Sequence, residues 1–250
     1  MIMAIRTDIR ICTSTLRIAM NTRANIEALQ LARLLQLASP LLPVGAYSYS
    51  QGLEWAIDSG AVNDAATASV WIGDCLELNL ARFELPIVAR LREAWDSADV
   101  SALTDWNDVF SSGRDCFEAR AETLQMGYSL VRLLEALDLD DAPIAVLKRF
   151  TSVSFPLAYA CAASIWKIPA ADSMLAYAWS WAENQVSAAL KTVPLGQVAG
   201  QRLLLVLGEK IPDAVTAAMQ RDDSRLSNFA PGLAIAGARH ETQYSRLFRS

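Results

Sequence analysis

The chain has 250 residues, 53% of them hydrophobic, enough to bury a large core and near the upper end of what one domain usually holds. Its 22 lysines and arginines are outnumbered by 27 aspartates and glutamates, and a net charge of -5 lacks the basic excess that phosphate binding needs, so nucleic acid is not an expected partner. No stretch supplies the roughly 18 uncharged apolar residues of a membrane-spanning helix, and Cys12, Cys75, Cys116 and Cys161 form no CxxC pair, which fits reduced thiols in a cytoplasmic protein better than a disulfide framework.

Residues 1–25 form an N-terminal extension. Arg6, Arg10 and Arg17 among serines and threonines superficially suggest a transit peptide. The segment has no clear periodicity, and Met3 and Met20 compete with Met1 as starts, so a mobile extension or a misassigned start is the simpler expectation. Residues 26–250 read as one all-helical domain. Pro40 and Pro43 end the first helix, and the S-x-x-Q spacing of Ser48 and Gln51 matches a capping box, which predicts a helix start near Tyr49. The region 70–91 is rich in Leu, Ala and Glu. Apolar residues at Phe117, Ala121, Leu124, Tyr128, Val131 and Leu134 recur at steps of three or four, as do Leu175, Ala178, Trp179, Ala182, Val186 and Ala189. Further breaks are expected at 138–143, 168–169, Pro194, 208–212 and 231–232. Gly196 and Gly200 share a face that another helix could approach closely. The fold class is therefore all-α: a single-domain bundle of about ten helices.

The search for chemistry yields mostly absences. There is one histidine, His240, and HETQY lacks the second histidine of HExxH. A hydrolytic triad would have to recruit that same His240, outside any G-x-S-x-G elbow. No phosphate-binding glycine motif is present. Glu54, Asp58, Asp74 and Glu77 are expected on solvated helix faces, because surface carboxylates far outnumber catalytic ones. The chain is not expected to be an enzyme.

Two segments look built for contact. Between the first two helices, Pro40, Pro43, Gly45, Tyr47 and Tyr49 make a stiff turn carrying amphipathic side chains, whose simplest role is packing on the chain's own core. Residues 238–250, ARHETQYSRLFRS, combine arginines at 239, 246 and 249 with Tyr244, Leu247 and Phe248; as a helix these apolar groups would share a face, and arginine with aromatic residues is typical of interface hot spots.

At these residues a resemblance becomes specific. LLQLASPLLPVGAYSYSQGLE at 34–54 resembles the N-terminal signature of UreF urease accessory proteins, and the likeness continues through RAETLQMGYSLVRLL at 120–134, FPLAYACAA at 155–163, SAALKTVPLGQVAGQRLL at 187–204 and the ending RHETQYSRLFRS. Ala46 stands where a second glycine is expected. The resemblance implies an all-helical, non-catalytic scaffold that tends to form a homodimer. It implies binding to UreD (also called UreH) and to the GTPase UreG, with nickel delivered to apo-urease by the complex and GTP bound by UreG. No cofactor is then held tightly by the chain itself. Carried onto this sequence, it makes Arg239, Glu241, Tyr244, Arg246 and Phe248 of the tail candidates for ordering on UreD. It makes Tyr47, Tyr49 and Gln51 of the loop, and Glu122 and Gln125 of the 122–127 stretch, candidates for the UreG-facing or dimer surface. Two alternatives remain open: a regulator lending Arg120 or Arg202 to UreG in trans, and a nickel-binding chaperone using His240 with a cysteine across a two-fold axis. Removal of 238–250 is expected to leave a folded chain that no longer binds UreD.

Overall fold

A computed structural model describes residues 27–250 apart from Asp138 and Asp140. The extension at 1–25, its alternative starts and Cys12 lie outside the described residues. Among the described residues there is no strand. The α-helices are α1 (Ala28–Ala38), α2 (Leu53–Asp58), α3 (Ala65–Cys75), α4 (Leu85–Ser97), α5 (Val100–Ser112), α6 (Phe117–Ala136), α7 (Asp141–Leu147), α8 (Phe155–Ile165), α9 (Ala170–Thr192), α10 (Gln197–Met219) and α11 (Pro231–His240). A π-helical segment, Leu76–Glu84, joins α3 to α4 in one continuous rod. The all-α expectation holds, at about the expected number of helices.

The core is built around α8 and α9. Every residue of α8 from Pro156 to Ala163 is buried, as expected of a helix that is apolar on all sides. Ser154 starts it by accepting the Leu157 N–H, and Pro156 sits in the first turn, where its missing donor is not needed. α4 and α6 pack against α8, while α10, α1 and α4 pack against α9. Tyr159 and Tyr177 lock α8 to α9 edge to face, 5.1 Å between ring centroids. Gly127 of α6 lets that helix meet the chain entering α8: a Cβ there would fall inside the van der Waals envelope of the Val153 carbonyl.

Three local expectations change. The helix expected near Tyr49 begins at Leu53. Ala46–Ser48 form a single 3-10 turn, Tyr49 is extended, and Gln51 and Gly52 both take left-handed backbone, φ 54° and 79°. Ser50, not Ser48, supplies the helix-start oxygen, accepting the Glu54 N–H at 3.2 Å. α10 runs through Gly208 and Pro212 without a break. The proline ring crowds the carbonyl four residues back, and that residue is Gly208, which has no side chain to resist adjustment. Of the glycine pair, Gly200 is packed against Leu190 of α9, whereas Gly196 faces open space at the start of α10.

Nothing in the sequence pattern marks the π-helical segment. Its register brings residues five apart onto one face, and both such polar pairs bond: Asn79 Nδ2 donates to Glu84 Oε1 at 3.0 Å, and Arg82 Nη2 to Glu77 Oε1 at 3.2 Å. The first pair points inward.

Candidate functional site

The two contact segments singled out in the sequence lie against each other. The tail does not continue α11 as a helix; after His240 it runs irregularly back to the 48–50 segment. The Arg249 N–H donates to the Ser48 carbonyl at 2.8 Å, and the Ser50 N–H and hydroxyl both donate to the Ser250 carbonyl at 2.6 Å. Phe248 is buried in the core with the Lys191 ammonium 5.4 Å from its ring centroid, while Tyr244 and Leu247 face outward. The shared apolar face expected for Tyr244, Leu247 and Phe248 is therefore split.

The cause lies in Glu54, expected on a solvated face but buried. Its Oε1 accepts the Leu247 N–H at 2.6 Å and its Oε2 the Phe248 N–H at 2.9 Å. These donors would belong to a helix ladder if the tail were helical; here they are bonded to a carboxylate instead, and the chain bends at Leu247 and Phe248. The same Oε2 lies 3.1 Å from His240 Nε2, whose Nδ1 is 2.6 Å from Glu118 Oε2. Glu118 in turn accepts from Arg246 Nη1 at 2.5 Å, and Glu241 Oε1 accepts the Glu118 N–H at 3.2 Å. His240 is fully buried, with both ring nitrogens committed to carboxylates inside the chain. Among the described residues no group of three or more His, Cys, Asp or Glu is placed to hold a metal ion. Asp58, Asp74 and Glu77 are exposed, as expected.

Behind the tail lies a cavity of about 130 Å³, with Gln51, Arg114, Glu122, Asn184 and Ser250 in its wall beside apolar groups such as Val44 and Met126. Gln51 is central to it rather than outward-facing: its Nε2 donates to Glu122 Oε1 at 2.7 Å, and its Oε1 accepts the Trp181 indole N–H at 2.7 Å. The left-handed backbone at 51–52 makes this possible by turning the side chain inward, with Gly52 against Ala236 and Gly237 of α11. Glu122 Oε2 accepts the Ser250 hydroxyl at 2.9 Å. Burial pushes the Glu122 carboxyl up to about 7, although the Gln51 and Ser250 hydrogen bonds oppose the rise.

Next to it, Arg114 pairs with Glu84 at 2.8 Å and stacks over Phe110, 4.2 Å to the ring centroid. Glu84 also accepts from Tyr177 at 3.1 Å and from Asn79, so the π-helical segment delivers one buried carboxylate with three donors. Arg114 Nε and Asn184 Oδ1 are buried without a hydrogen-bond partner among the described residues.

The remaining candidates divide. Tyr49 is buried, its carbonyl accepting from Asn184 Nδ2 at 3.0 Å. Tyr47 is half-buried with its hydroxyl 3.4 Å from Glu183; burial first, and then the Glu183 charge, push it up to about 12. Glu122 and its neighbours Thr123, Met126 and Gly127 are interior, whereas Gln125 and Arg239 are exposed. Within 238–250, His240, Phe248 and Ser250 are buried and the Leu247 and Phe248 N–H groups end on buried Glu54, whereas Arg239, Tyr244, Arg246 and Leu247 are exposed; removal of the segment would take those three buried residues from the interior. Among the described residues no helix is long and apolar enough to cross a membrane.

The profile of the family described as UreF matches residues 62–208, which include Glu84, Arg114, Glu122, Tyr177 and Asn184. The urease accessory protein UreF of Methylobacillus flagellatus is 58% identical over 221 residues, covering 88% of this chain and 97% of that protein. The chain belongs to the UreF family. Similar UreF proteins of Azoarcus sp. and Dechloromonas aromatica are 54% and 53% identical, covering 92% and 89% of this chain and 100% and 98% of their own lengths. The resemblance carried by the loop and tail motifs is thus upheld over most of the chain, and these UreF relatives are named as accessory proteins.

Proposed function

We propose that this UreF chain is a non-catalytic scaffold of urease maturation that bridges UreD and the GTPase UreG, so that nickel carried by the complex reaches apo-urease. The observation that supports this reading is the joining of the loop and the tail into one surface, with Tyr244, Arg246 and Leu247 outward, the Leu247 N–H held by Glu54 and the Arg246 guanidinium by Glu118. An outward-facing set of tyrosine, arginine and leucine side chains is the kind of anchor that protein partners use. On this reading the chain works in the cytoplasm as a homodimer, nickel is cargo rather than a resident cofactor, and GTP binds to UreG.

The test is reconstitution. Apo-urease, UreD, UreG, nickel and GTP are mixed with or without this chain, and urease activity and GTP turnover are followed together. The scaffold reading predicts activation only when the chain is present. If GTP turnover by UreG rises and the rise is lost in Arg120→Ala or Arg202→Ala, the regulator reading replaces it. Activation without the chain removes the proposal.

A further inference from the structure

We infer that the cavity is a binding site for a small neutral molecule with an apolar body and one polar end that both donates and accepts, of which a primary carboxamide is the simplest kind. Its volume of about 130 Å³ leaves room for roughly ten non-hydrogen atoms, at the space that one water needs. Exposed Asp115 stands in its wall, so the cavity reaches the surface. Leu37, Val44, Phe110, Met126 and Phe155 supply apolar wall, the usual lining of a site for a small organic molecule.

The polar groups define the other end of the ligand. Asn79, Thr123 and Ser180 are bonded within the chain, as are Gln51, Glu84 and Glu122. Asn184 and Arg114 each keep one group unspent. Asn184 is 5% exposed, and because its Nδ2 donates to the Tyr49 carbonyl the orientation of its amide is fixed, which leaves Oδ1 as an unused acceptor. Arg114 spends Nη1 on Glu84 and keeps the Nε N–H as an unused donor. A ligand that carries one donor and one acceptor complements this wall. Charge argues against ions: Glu84 already neutralises Arg114, and burial holds the Glu122 proton below about 7, so an added carboxylate or ammonium would enter without a free counter-charge. The backbone leaves regular geometry at the two places that build the wall, the left-handed turn that brings in Gln51 and the π-helical register that brings in Asn79 and Glu84. None of this depends on the scaffold reading.

Isothermal titration calorimetry on the full chain at about pH 6 tests it, below the value at which Glu122 gives up its proton. The probe is benzamide, compared with three molecules of nearly its shape: acetophenone, which accepts but cannot donate, benzoate and benzylammonium. Benzamide should bind with a dissociation constant below about 1 mM, and the other three at least about tenfold more weakly. Ala119→Phe fills the cavity from the first turn of α6 and should abolish benzamide binding while the helical circular dichroism signal is retained. The site is overturned by no benzamide binding at about 10 mM, by a preference under about tenfold over any of the three, or by unchanged binding to a folded Ala119→Phe chain. If that variant does not fold, the series on the wild type decides.

Discussion

Replacing Glu122 by glutamine isolates the effect of one buried carboxyl. Its folded value of about 7, against an ordinary 4.5, arises chiefly from burial, with Glu84 adding to the rise and Arg114 opposing it. Between those two values the folded chain keeps a proton that the unfolded chain has released. Stability is therefore greatest below about 4.5, falls as the pH rises through about 7, and then levels off. The full span corresponds to about 3 kcal/mol, of which a little under half is lost between pH 6 and pH 8.5. Glutamine has the shape of the protonated acid: its carbonyl can still accept from Gln51, and its amide can donate to the Ser250 hydroxyl. Urea denaturation followed by far-ultraviolet circular dichroism at the two pH values should show that Glu122→Gln lacks this part of the decline and is the more stable form at pH 8.5. Equal slopes, or a variant weaker than the wild type at pH 8.5, would refute the argument.

Two further substitutions test the packing. Gly127→Ala forces a methyl group against the Val153 carbonyl; overpacking against backbone should cost about 2 kcal/mol or more, read as a melting temperature lower by roughly 5 °C in a chain of this size. Arg114→Met leaves Glu84 buried with its charge uncompensated and should cost about 3–5 kcal/mol in denaturant titrations, whereas adding Glu84→Gln should recover part of the loss.

Much of the fold is legible in the sequence because apolar steps of three or four mark helices such as α6 and α9, but on α6 they do not mark the buried face: Phe117, Ala121 and Tyr128 of the expected stripe are exposed, and Glu122, Thr123, Met126, Gly127 and Leu130 face the interior instead. The π-helical segment is not legible: Leu, Ala, Glu and Asn at 76–84 suit an α-helix equally well, and the inward pairing of Asn79 with Glu84 exists only in the wider register. Pro212 misleads for the opposite reason, since a helix supported along its length by α9 tolerates one missing bond.

At the site, the loop and the tail could each be found from composition, but their mutual docking could not. It depends on Glu54, a glutamate that reads like any solvated helix residue until the tail's N–H groups are seen to end on it. Gln51 shows the same limit. Its spacing from Ser48 fits a cap, yet two consecutive left-handed residues turn it into the interior, where Glu122 and Trp181 take its amide. His240 stands out as the sole histidine and is instead a buried link between Glu54 and Glu118.

The most direct test of the scaffold reading is the affinity of UreD for the double variant Tyr244→Ala/Leu247→Ala. Both side chains are exposed and neither side chain is used by the core, so the melting temperature should match the wild type. The account predicts at least about a tenfold loss of UreD binding, the size expected for an interface anchor. A variant that folds normally and binds UreD with unchanged affinity would contradict it.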